Sequence, residues 1–248
     1  MSLWRLELLR MVRTHRWTIV VGVYALFGAL GPVTARYLNE IVANFAGEIE
    51  IVLPDPRPVD GVLQFVSNTT QLGLLAVVIV AASALAIDAR PEVAAFLRTR
   101  VPHPAALLWP RYVIVTATVV LALLAGTAVA WLLTTVLLGG LPAGPMVIGT
   151  AFGALYLAFA VAVLAAAGAV TRGMLPTVFA ALAVLILLPI LGVLPPVQPW
   201  LPSHLVTSVV ALLEGEPARE YLRAAGVTVA LIPLLLLVAA RGLERREL

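Results

Sequence analysis

Long apolar runs separated by short polar breaks organise this chain. Residues 17–35, 63–87, 112–138, 146–170, 174–194 and 224–240 are dominated by Val, Leu, Ile, Ala and Phe. Each run is close to the roughly 20 residues that an α-helix needs to cross a bilayer. A backbone in lipid must satisfy its own hydrogen bonds, so the pattern predicts an all-α integral membrane protein of six transmembrane helices. Residues 1–248 then form a single transmembrane domain. Ahead of the first run, residues 1–16 place Leu3, Trp4, Leu6, Leu8 and Leu9 beside Arg5, Arg10, Arg13 and Arg16. That mixture predicts an N-terminal amphipathic helix lying in the headgroup plane.

The polar breaks differ in kind. Arg36 to Val62 is acidic and carries PDPRP, which predicts an external connection with a helical extension followed by a proline-stiffened turn. Residues 88–111 are basic instead, with Arg90, Arg98, Arg100 and Arg111. Within them Val93, Ala94, Phe96 and Leu97 alternate with Glu92, Arg98 and Arg100 at helical spacing, which predicts a short amphipathic helix stopped by Pro102 and Pro104. GGLPAGP at 139–145 and Thr171-Arg172-Gly173 read as tight turns. Residues 195–216 are too rich in proline for one helix. They predict an external segment that folds back, with a modest helix from Ser203 to Leu213 and Trp200 near the headgroups. The last helix is expected over 217–245.

Some positions inside the runs are unusual. The start of the second span holds Gln64, Ser67, Asn68, Thr69, Thr70 and Gln71, and polar side chains at that depth normally face a bundle interior or a water-filled cavity. Pro189 predicts a kink in span five. In span four Gly149 and Gly153 form a GxxxG, followed by Ala154, Ala158, Ala162 and Ala166 at steps of four, a seam that admits close approach of another helix.

Composition narrows the function classes. The chain is 62% hydrophobic and 12% charged, with mean hydropathy +1.05, so six spans and their connections use up its 248 residues and leave no stretch for a soluble catalytic domain. There is no cysteine, which excludes disulfides and thiolate chemistry. All 16 basic residues are Arg. A six-span topology puts twelve of these arginines on the side of both termini and only Arg36, Arg57, Arg219 and Arg223 on the other. This asymmetry predicts cytoplasmic termini, and it explains the isoelectric point near 9.8 by membrane orientation rather than by nucleic acid.

Several chemistries lack their residues. His15, His103 and His204 fall in three separate segments without HExxH spacing, so no metal site is expected. Ser203 and His204 adjoin without an acid or a GxSxG elbow, and Ser203 reads as a helix cap, so no catalytic residues are assigned. A GxxxxGK[ST] phosphate loop is impossible without lysine. Asp88 and Glu92 sit at a span boundary rather than at the midplane, and no pair of broken helices repeats in two halves as in many secondary carriers.

An amphipathic N-terminal helix, six spans, a basic loop between spans two and three, a folded-back segment before span six and a terminal RREL together resemble the ABC-2-type permeases, transmembrane subunits of ABC exporters. The resemblance covers essentially the whole chain. Its most specific stretches are PDPRPVDGVLQFVSNTTQLGLLAVVIVAA, similar to the start of span two in bacterial members, and RPEVAAFLRTRVPHPAALLWPRY, similar to their loop before span three. There Glu92 matches the acidic position, Pro102 the proline and Arg111 the basic start of the span. Ala94-Ala95 and His103-Pro104 depart from the usual residues.

The resemblance implies residues 88–111 as a cytoplasmic coupling loop holding a coupling helix, with Arg90, Glu92, Phe96, Arg98, Arg100, Pro102 and His103 contacting an ATPase. It implies two copies of a separate P-loop ATPase subunit that hold ATP and Mg, a second permease copy or a homologous permease, and the inner membrane of a bacterium. The substrate path would run between permeases along spans two and five, making Gln64, Ser67, Asn68, Thr69, Thr70, Gln71 and Pro189 its candidates. Aromatics at 7% and sparse intramembrane charge favour an amphipathic or hydrophobic substrate over a polysaccharide or an ion. A non-ABC carrier or assembly subunit would instead bind no ATPase, and an intramembrane hydrolase would require Ser203 or His204.

Overall fold

The computed structural model describes residues 3–45, 54–85, 105–171 and 173–245. Helix α1 (Leu3–Arg13) meets α2 (Arg16–Phe45) at a sharp corner where His15 takes φ 52°. Thr14 and Thr18 hold that corner by donating their hydroxyls to the carbonyls of Arg10 at 2.7 Å and His15 at 2.6 Å. Helix α3 (Pro58–Asn68), a π-helical turn (Thr69–Gly73) and α4 (Leu74–Leu85) run on as one rod. Then come α5 (Ala105–Leu137), α6 (Ala143–Val170) and α7 (Met174–Leu191). Two 3-10 turns (Gln198–Trp200 and Pro202–Thr207), α8 (Ser208–Leu213), a further 3-10 turn (Ala218–Tyr221) and α9 (Leu222–Glu244) complete the described chain.

Six helices are long and apolar enough to cross a membrane: Arg16–Val42, Pro58–Leu85, Ala106–Leu137, Ala143–Val170, Met174–Leu191 and Ala218–Glu244. The protein is an all-α, multi-pass membrane protein, and no strand occurs among the described residues. Large apolar side chains stand on the outside, as in Val136 and Phe179, because lipid is as good a solvent for them as the interior. Small residues hold the inside. Helix α6 is the central rod, with Ala160, Ala162, Leu164 and Ala166 buried, and it packs against α4, α5, α7 and α9. Helix α2 lies along α5.

Several boundaries differ from those that apolar runs predict, because hydropathy reports bilayer depth whereas a helix ends where its hydrogen bonds end. No proline or glycine stops α2 beyond Ala35, so it continues as a polar extension to Phe45. The second span starts at Pro58, in the first turn, where its missing N–H costs nothing. Asp60 accepts the Arg57 backbone N–H at 2.7 Å and caps that start. Helix α5 begins at Ala105, so Arg111 belongs to a helix instead of the preceding loop, and burial of Leu107 and Leu108 holds that extra turn. The kink expected at Pro189 is instead a terminus, since α7 ends at Leu191 and Gly192 closes it by donating to the Leu188 carbonyl at 3.0 Å. Between 203 and 213 the first turn is 3-10 and only Ser208–Leu213 is α-helical.

The folded-back segment is not a surface appendage. Leu205 and Ser208 are fully buried, and α8 crosses α6 so closely that a Cβ on Gly149 would overlap the Val209 backbone. The GxxxG therefore receives the short α8 at Gly149 rather than another full span.

Candidate functional site

The coupling candidates Arg90, Glu92, Phe96, Arg98, Arg100, Pro102 and His103 lie outside the described residues. What flanks them is well defined. Arg111, six residues into α5, donates from Nε to Glu7 Oε1 of α1 at 2.7 Å, and both side chains are buried, at 4% and 10% exposure. Arg10 approaches the other Glu7 oxygen at 3.5 Å. Arg16 donates to the Ser83 carbonyl at 3.2 Å, near the end of α4. Helix α1 is thus fastened to α5, the helix that leaves residues 86–104, and the start of α2 to α4, the helix that leads into them. Glu7 was not singled out by the sequence. An acid three residues before Arg10 in a basic helix looks like an i,i+3 surface pair, and nothing local shows that its main partner is 104 positions away.

The path candidates separate into two faces. Thr69 and Thr70 line a cavity with about 60 Å³ of space for water centres, while Gln64, Ser67, Asn68 and Gln71 lie outside its lining and Gln71 is exposed. Pro189 is exposed at the end of α7, remote in sequence from every residue of that lining. Thr69 and Thr70 continue the face of Val62, Phe65 and Val66 at helical spacing, and a π turn follows in which Leu74 N–H reaches back five residues to the Thr69 carbonyl. Thr69 Oγ1 donates to the Phe65 carbonyl, which also accepts the Thr69 backbone N–H, and Thr70 Oγ1 to the Val66 carbonyl, each at 2.7 Å. Such single-turn insertions recur at functional positions.

The cavity is walled by five elements. Tyr24 comes from α2, Phe65 from α3, Thr127 from α5, Thr150 and Tyr156 from α6, and Val206 from the folded-back segment. Among described residues no charged side chain lines it, and Thr150 spends its hydroxyl on the Met146 carbonyl at 2.6 Å. The arrangement can bind water or a neutral hydrogen-bonding group among apolar walls. Tyr24, Thr127, Thr150 and Tyr156 sit in otherwise apolar helices where one polar residue reads as incidental, so the sequence offered no signal for them.

At the same end of the bundle as the folded-back segment, the His204 ring stacks on Tyr221 at 4.6 Å and 17°. Tyr221 donates to Glu216 Oε2 at 3.0 Å. Burial pushes the His204 imidazole below its ordinary 6.5, against the opposing pull of Glu216 and Glu220. Ser203 is only the second residue of a 3-10 turn, with no side-chain hydrogen bond to His204, so the pair forms no nucleophile and base. Among the described residues no group of three or more His, Asp or Glu could hold a metal ion.

No protein-family model matches the chain, and no curated protein matches it.

Proposed function

We propose that this chain is the membrane-spanning permease subunit of an ATP-driven ABC exporter, moving an amphipathic or hydrophobic substrate out of the cytoplasm or inner leaflet by alternating access. The observation that carries the reading is the fastening of the helices on both flanks of residues 86–104 to the N-terminal α1–α2 corner, α5 through Arg111–Glu7 and α4 through Ser83–Arg16. Helices tied to one another in this way can pass a push into the bundle, whereas loosely packed ones dissipate it. The arginine asymmetry supports a cytoplasmic side for the loop of residues 86–104 and both termini, and on this reading the membrane is the inner membrane of a bacterium. On this reading two P-loop ATPase subunits bind the loop and hold ATP and Mg, a second permease completes the path, and no nucleic acid takes part.

Purification of the tagged chain from its native membrane in mild detergent, with identification of what accompanies it, tests this. The expected companion is a stoichiometric P-loop ATPase whose stimulated hydrolysis and transport fall in Glu92→Lys or Arg98→Glu while assembly persists. Full transport in both variants removes the loop from the mechanism. Recovery of the chain alone, with transport driven by an ion gradient, defeats the exporter reading.

A further inference from the structure

Beside the internal cavity, a second hollow opens between α5 and α6 towards the membrane. It holds about 320 Å³, and Leu124, Ala128, Val147 and Ala151 form its exposed rim. Thr127 and Thr150 line both hollows and mark where the two meet. Among the described residues no charged side chain lines either one.

The inner cavity also contains hydroxyls that the protein leaves unused. Tyr24 is 1% exposed, Tyr156 5% and Thr127 8%, yet none of the three side chains makes a hydrogen bond to a described residue. Buried phenols and hydroxyls nearly always have a partner, because leaving one unmet costs about 1–3 kcal/mol. Thr69, Thr70 and Thr150 show the contrast, each bonded to a carbonyl of its own helix. Three unmet hydroxyls in one small space point to a guest that supplies donors or acceptors.

We propose that the α5–α6 crevice and the cavity behind it form one binding site for a neutral single-chain amphiphile. Its alkyl chain lies in the crevice, and its oxygen-bearing head hydrogen-bonds to Tyr24, Thr127 and Tyr156. The chemistry selects that guest in three ways. An apolar hollow on a lipid-facing surface is filled from the bilayer rather than from water. The absence of charge excludes a phosphate or ammonium head, whose desolvation nothing there would offset. The volume, at the low end of ligand pockets, accommodates one chain. The site is confined to one copy of the chain and does not depend on an ATPase partner.

The test uses the full chain in phosphatidylcholine nanodiscs with a monoacylglycerol carrying a diazirine and an alkyne in its acyl chain, with adducts mapped by mass spectrometry after irradiation. Adducts are expected on residues 124–131 and 147–154, displaced by monooleoylglycerol but not by added phosphatidylcholine. Filling the crevice with Ala128→Trp or Ala151→Trp, both at exposed positions that leave the core intact, is expected to abolish them. Tyr24→Phe with Tyr156→Phe weakens displacement roughly tenfold, as loss of two hydrogen bonds requires. Adducts spread evenly over lipid-facing residues such as Leu175 and Phe179, or unaffected by the tryptophans, mean annular lipid and overturn the proposal. Absence of adducts from α5 and α6 overturns it too, leaving water in the cavity or a second copy over the crevice.

Discussion

Removing the Glu7 carboxylate should be among the most damaging single changes outside the spans. Its partner Arg111 is 4% exposed and bonded at 2.7 Å. For charge centres about 4 Å apart, at an effective dielectric near 20, the attraction is about 4 kcal/mol. Removing one partner of a buried pair costs up to roughly 3–5 kcal/mol, and a further interaction of Arg111 offsets part of this. Arg10 adds little, since at 3.5 Å and 31% exposure it is partly screened, and exposed pairs contribute about 1 kcal/mol or less. Glu7→Ala should therefore lose about 2–3 kcal/mol, measured by reversible unfolding in mixed micelles, with little dependence on salt. Glu7→Leu combined with Arg111→Met removes both charges and should recover most of that loss, because replacing a buried pair by apolar groups is often neutral. A loss below about 1 kcal/mol that disappears in high salt shows a surface bridge. So does additivity in the double variant, and either result refutes the fastening of α1 to α5 and the force path built on it.

Two further outcomes follow from the folded-back segment. Gly149→Ala drives a Cβ into the Val209 backbone, so α8 should lift from α6 at a cost of about 1–3 kcal/mol, seen as faster proteolysis near Gly215, whereas Gly144→Ala meets nothing within 4 Å; equal proteolysis in the two variants contradicts the close crossing. Because the folded-state value of His204 lies below its ordinary 6.5, the unfolded segment binds the proton first, so local stability is complete above about pH 6.5 and declines as pH falls towards the folded value. Hydrogen exchange over 202–221, corrected for intrinsic rate, should rise between pH 7.5 and 5.5 in the parent and stay flat in His204→Phe, which keeps the stack on Tyr221; the same rise in that variant rules out His204 as its source.

The sequence by itself determined the class and the number of spans. Six apolar runs separated by polar or proline-rich breaks leave an aqueous fold no way to bury them, and that conclusion needs only lengths and local chemistry. The same local chemistry marked the polar start of span two and the proline-rich fold-back. Which polar side chains face inward was decided by tertiary structure alone. Thr69 and Thr70 follow Val62, Phe65 and Val66 at steps of three and four and share their face while Gln71 faces out, and packing against the other helices decides that this face and not the opposite one meets the cavity. Glu7 finds Arg111 across the fold, and Gly149 finds Val209 of a helix only six residues long. These pairings are contacts between segments distant along the chain, and sequence spacing carries information only about neighbours on one helix. Apolar runs determine that a helix crosses the membrane; the packing of one helix on another determines where its few polar groups can act.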